Sequence, residues 1–182
     1  MTRPGTGAPT DAWAFLLPPG WARFPVGERS GDTRTGAVYR PTEPVAGMVV
    51  PASIIEVELF GAVGLGPGDV ATRVARGPFA VGRSVDLDGR PGARMVRNVH
   101  DVHREGGRPA RSTREVTYVV SRDEAAGDWL VLTFGTSWDS PGTERLAETL
   151  VEFFDAVMAT FRWTGPGSGT LNLPERNVPG SA

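Results

Sequence analysis

Apolar and polar residues alternate along most of the chain before residue 140, a pattern typical of half-buried β-strands. The segment SIIEVELF, residues 53–60, is the clearest case: Ile55, Val57 and Leu59 share one face, while Glu56 and Glu58 share the other. We expect the glutamate face to be half-exposed, with arginines of neighbouring strands beside the carboxylates. Further strands are predicted in the segments WAFLLP, RTGAVYR, AVGRSVDLDGR, ARMVRNVHDVHRE, ARSTREVTYVVS and DWLVLTFGTSW.

The hydrophobic period changes from two residues to a helical spacing after residue 143. One apolar stripe is formed by Leu146, Leu150, Phe153, Phe154, Val157 and Phe161. This stripe predicts a long helix from about Thr143 to Arg162 that packs on the sheet and buries Phe154 and Phe161. A separate acidic stripe, predicted to face solvent, consists of Glu144, Glu148, Glu152 and Asp155. A short helix is predicted at 70–76, with Asp69 as its cap.

These elements predict an α+β fold, in which an antiparallel β-sheet is covered by helices and the long C-terminal helix packs on the sheet. The domain is expected to span residues 12–163 as a single unit. Residues 1–11 and 164–182 are small, polar and rich in proline and glycine, so both are predicted to be disordered tails.

Composition excludes several chemistries. The chain has no cysteine, and all 19 basic residues are arginines. Thiol nucleophiles, thiolate metal sites and Schiff bases of lysine are therefore excluded. No apolar run of about 18 residues is present, and the N-terminus lacks the apolar core of a secretory signal. We therefore expect a cytoplasmic protein that does not insert into membranes.

Both histidines lie in RNVHDVHREGG, residues 97–107. If Gly106 and Gly107 form a two-residue turn between two strands, His100 lies opposite Thr113 and His103 opposite Ala110. The histidines then point to opposite faces and cannot share a metal, although Asp101 and His103 share a face. Because zinc sites need three or more protein ligands, no metal site and no cofactor are expected here.

The same hairpin holds the main charge asymmetry of the chain. Residues 90–114 carry seven arginines and two acidic residues, a net charge of +5. Arg104, Arg108 and Arg111 surround the glycine turn and are predicted to bind an acidic protein partner. The same turn places Arg97 and Arg114 on one face, nearer the body of the domain. The alternatives are that the arginines balance the acidic helix stripe within the molecule, or keep a sheet edge soluble.

Three segments carry a resemblance to a known family: FLLPPGW near the start, the strand WLVLTFGTSW, and the closing FFDAVMATFRW. They resemble the PsbP family, which includes the Ran-binding import factor Mog, actinobacterial PsbP-like lipoproteins and bacterial secretion-effector chaperones. The resemblance implies an α/β/α sandwich that is used mostly for binding. The chain departs from the lipoprotein relatives because it has no signal peptide and no lipobox cysteine.

The sequence therefore predicts a non-enzymatic protein-binding module: an adaptor, an accessory subunit or a chaperone. The alternative is a small-ligand-binding protein with an aromatic pocket between helix and sheet, for which five tryptophans are available. An uncharacterised enzyme is the third possibility, although no G-x-S-x-G motif is present. Nucleic acid is not expected as a partner, because aromatic residues do not interleave with the arginines.

Overall fold

A computed structural model describes residues 12–44, 51–75, 81–100 and 112–164 of the chain. Within these ranges the chain forms an α+β fold with a large antiparallel sheet and two helices, so the predicted fold class is confirmed at this level. The elements in chain order are β1 (Ala12–Ala14), β2 (Trp21–Ser30), β3 (Thr33–Pro41), β4 (Ala52–Leu59), α1 (Pro67–Ala75), β5 (Val81–Leu87), β6 (Arg90–His100), β7 (Ser112–Asp123), β8 (Asp128–Trp138), α2 (Pro141–Ala159) and β9 (Arg162–Thr164).

Seven strands form one sheet in the order β2-β3-β4-β8-β7-β6-β5, and every neighbouring pair is antiparallel. The turn between β5 and β6 is formed by Asp88 and Gly89, with φ values of 55° and 81°. Two consecutive positive φ angles match the twist of the flanking strands, which is why Asp-Gly favours such a turn. The turn predicted at Asp88-Gly89 is therefore confirmed.

One face of the sheet packs against α2. Phe154 is fully buried, stacks on Phe134 at a centroid distance of 5.1 Å, and meets Tyr118 edge-on at 5.5 Å. Phe161 is 1% exposed, so the burial predicted for Phe154 and Phe161 is confirmed. Burying one phenylalanine contributes about 1.5–3 kcal/mol to the free energy of folding. The two rings therefore stabilise the packing on this face of the sheet.

The limits of α2 differ from the prediction at both ends. Ser140 is the N-cap, because its hydroxyl accepts from the Thr143 backbone N–H while the Thr143 side chain reaches back to the cap. Helical bonding stops at Thr160, whose backbone N–H and hydroxyl both donate to the carbonyl of Val157. Arg162, expected inside the helix, instead begins β9.

The opposite face packs against α1, which begins at Pro67. Val70 and Ala71 of α1 are fully buried beside Met95 and Val131. Asp69, predicted as the cap, lies within the first turn, where its carboxylate accepts from the Gly66 N–H at 3.1 Å. Helix α1 contacts β5, β6 and β7 on this face, whereas Ile55 on β4 remains 38% exposed.

Strands β1 and β9 form a separate two-stranded ribbon that joins the two ends of the domain. Ala12 pairs with Thr164, and Trp13 with Trp163. The Trp13 ring stacks on Phe161 at 6.0 Å, so the ribbon lies against the α2 core. The strand predicted over 13–18 is thus short, and Thr164, the first residue of the predicted tail, belongs to β9.

The register of the β6–β7 hairpin differs by one residue from the two-residue-turn prediction. His100 pairs with Ser112 and Asn98 with Arg114, so an odd number of residues separates each pair. A two-residue turn requires an even number. Because side chains alternate along a strand, the shift separates Arg97 and Arg114 onto opposite faces, and the shared face predicted for them is wrong.

None of the helices in the described ranges is long and apolar enough to cross a membrane.

Candidate functional site

The α2 face is crossed by the segment between β1 and β2, residues 15–20, which we call the crossing segment. The Leu16 N–H donates to the Thr160 hydroxyl at 2.9 Å, and the Phe15 ring lies 5.1 Å from the Tyr39 ring. These contacts hold the segment over the β2–β3 edge of the sheet, beside α2. One cavity opens on each side of it: the first lies between α2 and the sheet edge, and the second lies over strands β2, β3 and β4.

The first cavity, which we call the apolar pocket, has a volume of about 320 Å³. Its lining consists of Pro18, Pro19, Gly20, Trp21, Glu43, Pro44, Leu150 and Phe153. The Trp21 and Phe153 rings lie 6.0 Å apart and are tilted by 36°, so they form an open aromatic corner. Large apolar surfaces that remain open to solvent in this way commonly mark binding sites.

Hydrogen bonds between two turns build the rim of the apolar pocket. The backbone N–H and the hydroxyl of Thr42 both donate to the Gly20 carbonyl, at 2.7 and 2.9 Å. Gly20 has a φ of 82°, which a residue with a side chain adopts only under strain. The Trp21 N–H donates to the Pro18 carbonyl, so Trp21 and the neighbouring Glu43 are held at the rim by local backbone geometry.

The second cavity, the polar pocket, has a volume of about 340 Å³. It is lined by Trp13, Ala14, Phe15, Leu17, Arg23, Tyr39 and Glu56. Tyr39 donates its hydroxyl proton to Glu56 Oε2 at 2.8 Å, and Arg23 Nε donates to the Tyr39 oxygen at 3.2 Å. Burial and the Glu56 charge raise the pKa of Tyr39 well above its usual value. Tyr39 is therefore a neutral hydrogen-bond donor in this pocket.

Glycine at position 36 makes room for the buried Glu56 carboxylate. A Cβ atom at Gly36 would lie only 2.4 Å from Glu56 Oε1. The Tyr39 hydroxyl and the Arg23 guanidinium contact the carboxylate in that space. Glu56 is therefore fixed in position before any ligand arrives.

Glu58 forms a second buried cluster on the same sheet face. Arg34 Nε donates to Glu58 Oε2 at 2.5 Å, and Arg122 pairs with Oε1. Both glutamates are nearly inaccessible, at 5% for Glu56 and 6% for Glu58. The predicted pairing to arginines is confirmed, but the predicted half-exposed face is wrong. Two arginines pair with Glu58, whereas Glu56 has Arg23 and the Tyr39 hydroxyl as partners, and these contacts offset the cost of burying the carboxylates.

The described arginines of the charged hairpin make contacts within the molecule. Arg94 binds Asp155 through two hydrogen bonds of 2.8 Å, and Arg114 lies 3.6 Å from Glu148. Two members of the acidic stripe on α2 therefore face basic side chains, which supports the alternative of internal charge balance. Arg97 pairs with Glu115, and Arg90 lies over the Trp163 ring at 4.0 Å.

The remaining residues of the predicted sites lie outside the described ranges. These are Asp101, His103, Arg104, Arg108 and Arg111. Binding of an acidic partner at the hairpin tip therefore stays a prediction, and so does the absence of a metal at Asp101 and His103. Among the residues that the structure does describe, no three acidic or histidine side chains converge as metal ligands would.

The sequence predicts only some of the residues that line the two cavities. The predicted helix–sheet pocket is present, and two of the five tryptophans, Trp21 and Trp13, line one cavity each. The prolines and Glu43 at the rim carry no periodic signal, so their place in the apolar pocket could not be predicted. Trp129 and Trp138 are buried in the fold and line neither cavity.

The chain matches no protein-family model and no curated protein. Among solved structures it is similar to LpqN of Mycobacterium tuberculosis, which is described as involved in cell envelope biogenesis. The two share 18% sequence identity over 87% of each chain, with a TM-score of 0.48. A likeness at this level carries no argument about function. The PsbP resemblance stays a prediction.

Proposed function

We propose that the protein is a non-enzymatic binding module of the PsbP-like class, and that the apolar pocket receives an apolar side chain of a protein partner. The observation that carries the proposal is the open aromatic corner of Trp21 and Phe153, enclosed by three prolines and Leu150. At protein interfaces, a few large side chains that fill pockets of this kind commonly supply most of the binding energy. Such a role fits an adaptor, an accessory subunit or a chaperone.

The size of the pocket agrees with one anchoring side chain. Pockets for drug-sized ligands span about 300–1,000 Å³, and the volume of 320 Å³ lies at the lower end of that range. The walls come from the crossing segment, from β2 and from α2. Because Leu16 and Thr160 tie the segment to the end of the helix, these walls are already in place without a ligand. A preformed site avoids part of the entropy that ordering would cost.

The saturated polar groups beside the pocket support a role without catalysis. Glu56, Tyr39 and Arg23 satisfy one another, and Glu58 is held by two arginines. General acid–base catalysis needs a group whose proton can reach the substrate. In the polar pocket the Tyr39 proton is directed to Glu56 and is not offered to the cavity.

A small apolar ligand in the same pocket is the second candidate function. It is favoured by the depth of the cavity, whose floor includes Leu150, a core residue only 7% exposed. A ligand that fills the pocket would be carried through purification if it binds tightly. Native mass spectrometry of the purified chain tests this, because a bound ligand adds a discrete mass that Phe153→Arg should remove.

Site-specific photocrosslinking tests the proposed protein-binding role. A benzophenone amino acid replaces Pro19 at the pocket rim or, as the control, Glu124 in the remote β7–β8 turn; both residues are exposed. In the cells that make the protein, we expect a discrete crosslinked partner from position 19 that is absent from position 124. Phe153→Arg should abolish that product while the far-ultraviolet spectrum stays unchanged. Identical products from the two positions would contradict the proposal.

A further inference from the structure

The rim of the apolar pocket carries one carboxylate, Glu43, which is exposed. It follows Thr42, whose two hydrogen bonds to the Gly20 carbonyl fix the turn in place. The charge is therefore held at the mouth of an apolar cavity that Trp21 also lines. A carboxylate and an indole ring both attract cations.

Nearby cations that could neutralise Glu43 are engaged elsewhere in the described part of the chain. Arg23 is bound to Tyr39 and Glu56, and Arg40 stacks over Phe24 at 4.5 Å. The segment VAGMVV that follows Pro44 has no charged residue. Helix α2, which forms the other wall, contributes only the apolar residues Leu150 and Phe153 to the lining, and Glu43 is the one charged residue among the described residues that line the pocket.

From this arrangement we infer that the apolar pocket selects a basic amphipathic segment of the partner, in which an apolar side chain lies beside a positively charged one. The inference rests on the proposed function and adds the charge of the partner to it. The apolar side chain fills the corner of Trp21 and Phe153, and a neighbouring lysine or arginine of the partner meets Glu43. This surface differs from the arginine hairpin, which is predicted to attract acidic groups.

Three probes that share a phenylethyl group but differ in charge test the selection: 2-phenylethylamine, 2-phenylethanol and 3-phenylpropionate. Binding is followed by NMR at the Trp21 indole N–H, which Trp21→Phe assigns. We expect the amine to bind more tightly than the alcohol by roughly twofold to fivefold, as for an exposed ion pair. The carboxylate probe should bind most weakly. Added salt should reduce the advantage of the amine, since it screens exposed charges.

The variant Glu43→Gln should remove the advantage of the amine and leave binding of the alcohol unchanged. Glu124→Gln makes the same charge change at the remote β7–β8 turn, and it should leave all three affinities as they are. Equal binding of the three probes to the native chain would overturn the inference and leave the proposed function standing. If no probe shifts the Trp21 signal, both the inference and the proposed pocket are wrong.

Discussion

Two clusters, each made of an arginine, a tyrosine and a carboxylate, lie on the α2 face. The edge cluster joins Arg23, Tyr39 and Glu56 on strands β2, β3 and β4. The helix cluster joins Arg94, Tyr118 and Asp155 on β6, β7 and α2. In each, the tyrosine hydroxyl donates to the carboxylate, at 2.8 and 2.7 Å, and the guanidinium lies 5.9 Å from the tyrosine ring centre.

The clusters differ in which side chain is exposed to solvent. In the helix cluster the arginine side chain is 11% exposed and donates two hydrogen bonds of 2.8 Å to Asp155. In the edge cluster the arginine is 51% exposed and reaches Glu56 only at 3.5 Å, while the glutamate is buried. An arginine, a tyrosine and a carboxylate therefore connect a helix to the sheet in one place, and line a solvent-open pocket in the other. Location relative to solvent decides the role.

The largest effect is expected from breaking the helix cluster. Asp155→Asn should lower the free energy of unfolding by about 2–3 kcal/mol, because Arg94 loses its countercharge while it stays buried. Glu56→Gln should lower it by only about 1 kcal/mol, because water can solvate the half-exposed Arg23. Urea denaturation of both variants measures the difference. Equal losses would mean that exposure of the arginine does not separate the two clusters.

A second prediction concerns the ionisation of the tyrosines, since the two tyrosines of the chain lie one in each cluster. Burial and the bond to Asp155 raise the pKa of Tyr118 to about 12, and burial raises the pKa of Tyr39 as well. In an unfolded chain both ionise near pH 10. The raised values add stability that is complete below about pH 10 and is lost as pH rises through the folded pKa.

Ultraviolet titration of the phenolate band checks this prediction. At about pH 10 the folded chain should show almost no phenolate, whereas the chain in urea should be half ionised. Tyr118→Phe should remove one of the two phenolate ionisations of the folded chain, and the ionisation that remains, that of Tyr39, should still lie above about pH 10. A half-ionised signal near pH 10 in folded protein would show that neither cluster shields its hydroxyl.

The smallest effect is expected at the tip of the arginine hairpin. Charge reversal at Arg104, Arg108 and Arg111 should change the free energy of unfolding by no more than about 0.5 kcal/mol per site, as for ordinary surface positions. The same triple variant should lose binding to an acidic partner, and salt should weaken the native complex in the same way. If stability falls as it does in Asp155→Asn, these arginines belong to the fold and not to a docking surface.

Alternation along the chain was enough to predict β4 and β8, together with the faces of Ile54 and Glu56. It did not predict the burial of Glu56, because the arginine and tyrosine that neutralise it come from β2 and β3, 17 and more residues away. Strand β2 was missed altogether. It lies at the edge of the sheet, and Pro25 and Gly27 interrupt its pattern beside a β-bulge.

The candidate site was harder to predict than the fold because its parts have no common period. Trp21, Glu43 and Phe153 come from a strand, a turn and a helix, and only tertiary packing brings them together. The hairpin shows a related limit. Both strands are present in the described ranges, yet their observed register differs by one residue from the predicted register, and Arg97 and Arg114 therefore lie on opposite faces.

The β1–β9 ribbon has a consequence for the order of events during synthesis. Its two strands are the first and last elements of the described chain, and Ala12 meets Thr164 only when both have left the ribosome. The loop between them is long, so the ribbon closes after the sheet that it spans. The crossing segment, which β1 positions, then takes its place against the completed α2. A nascent chain therefore has no finished pocket until translation has passed the final strand.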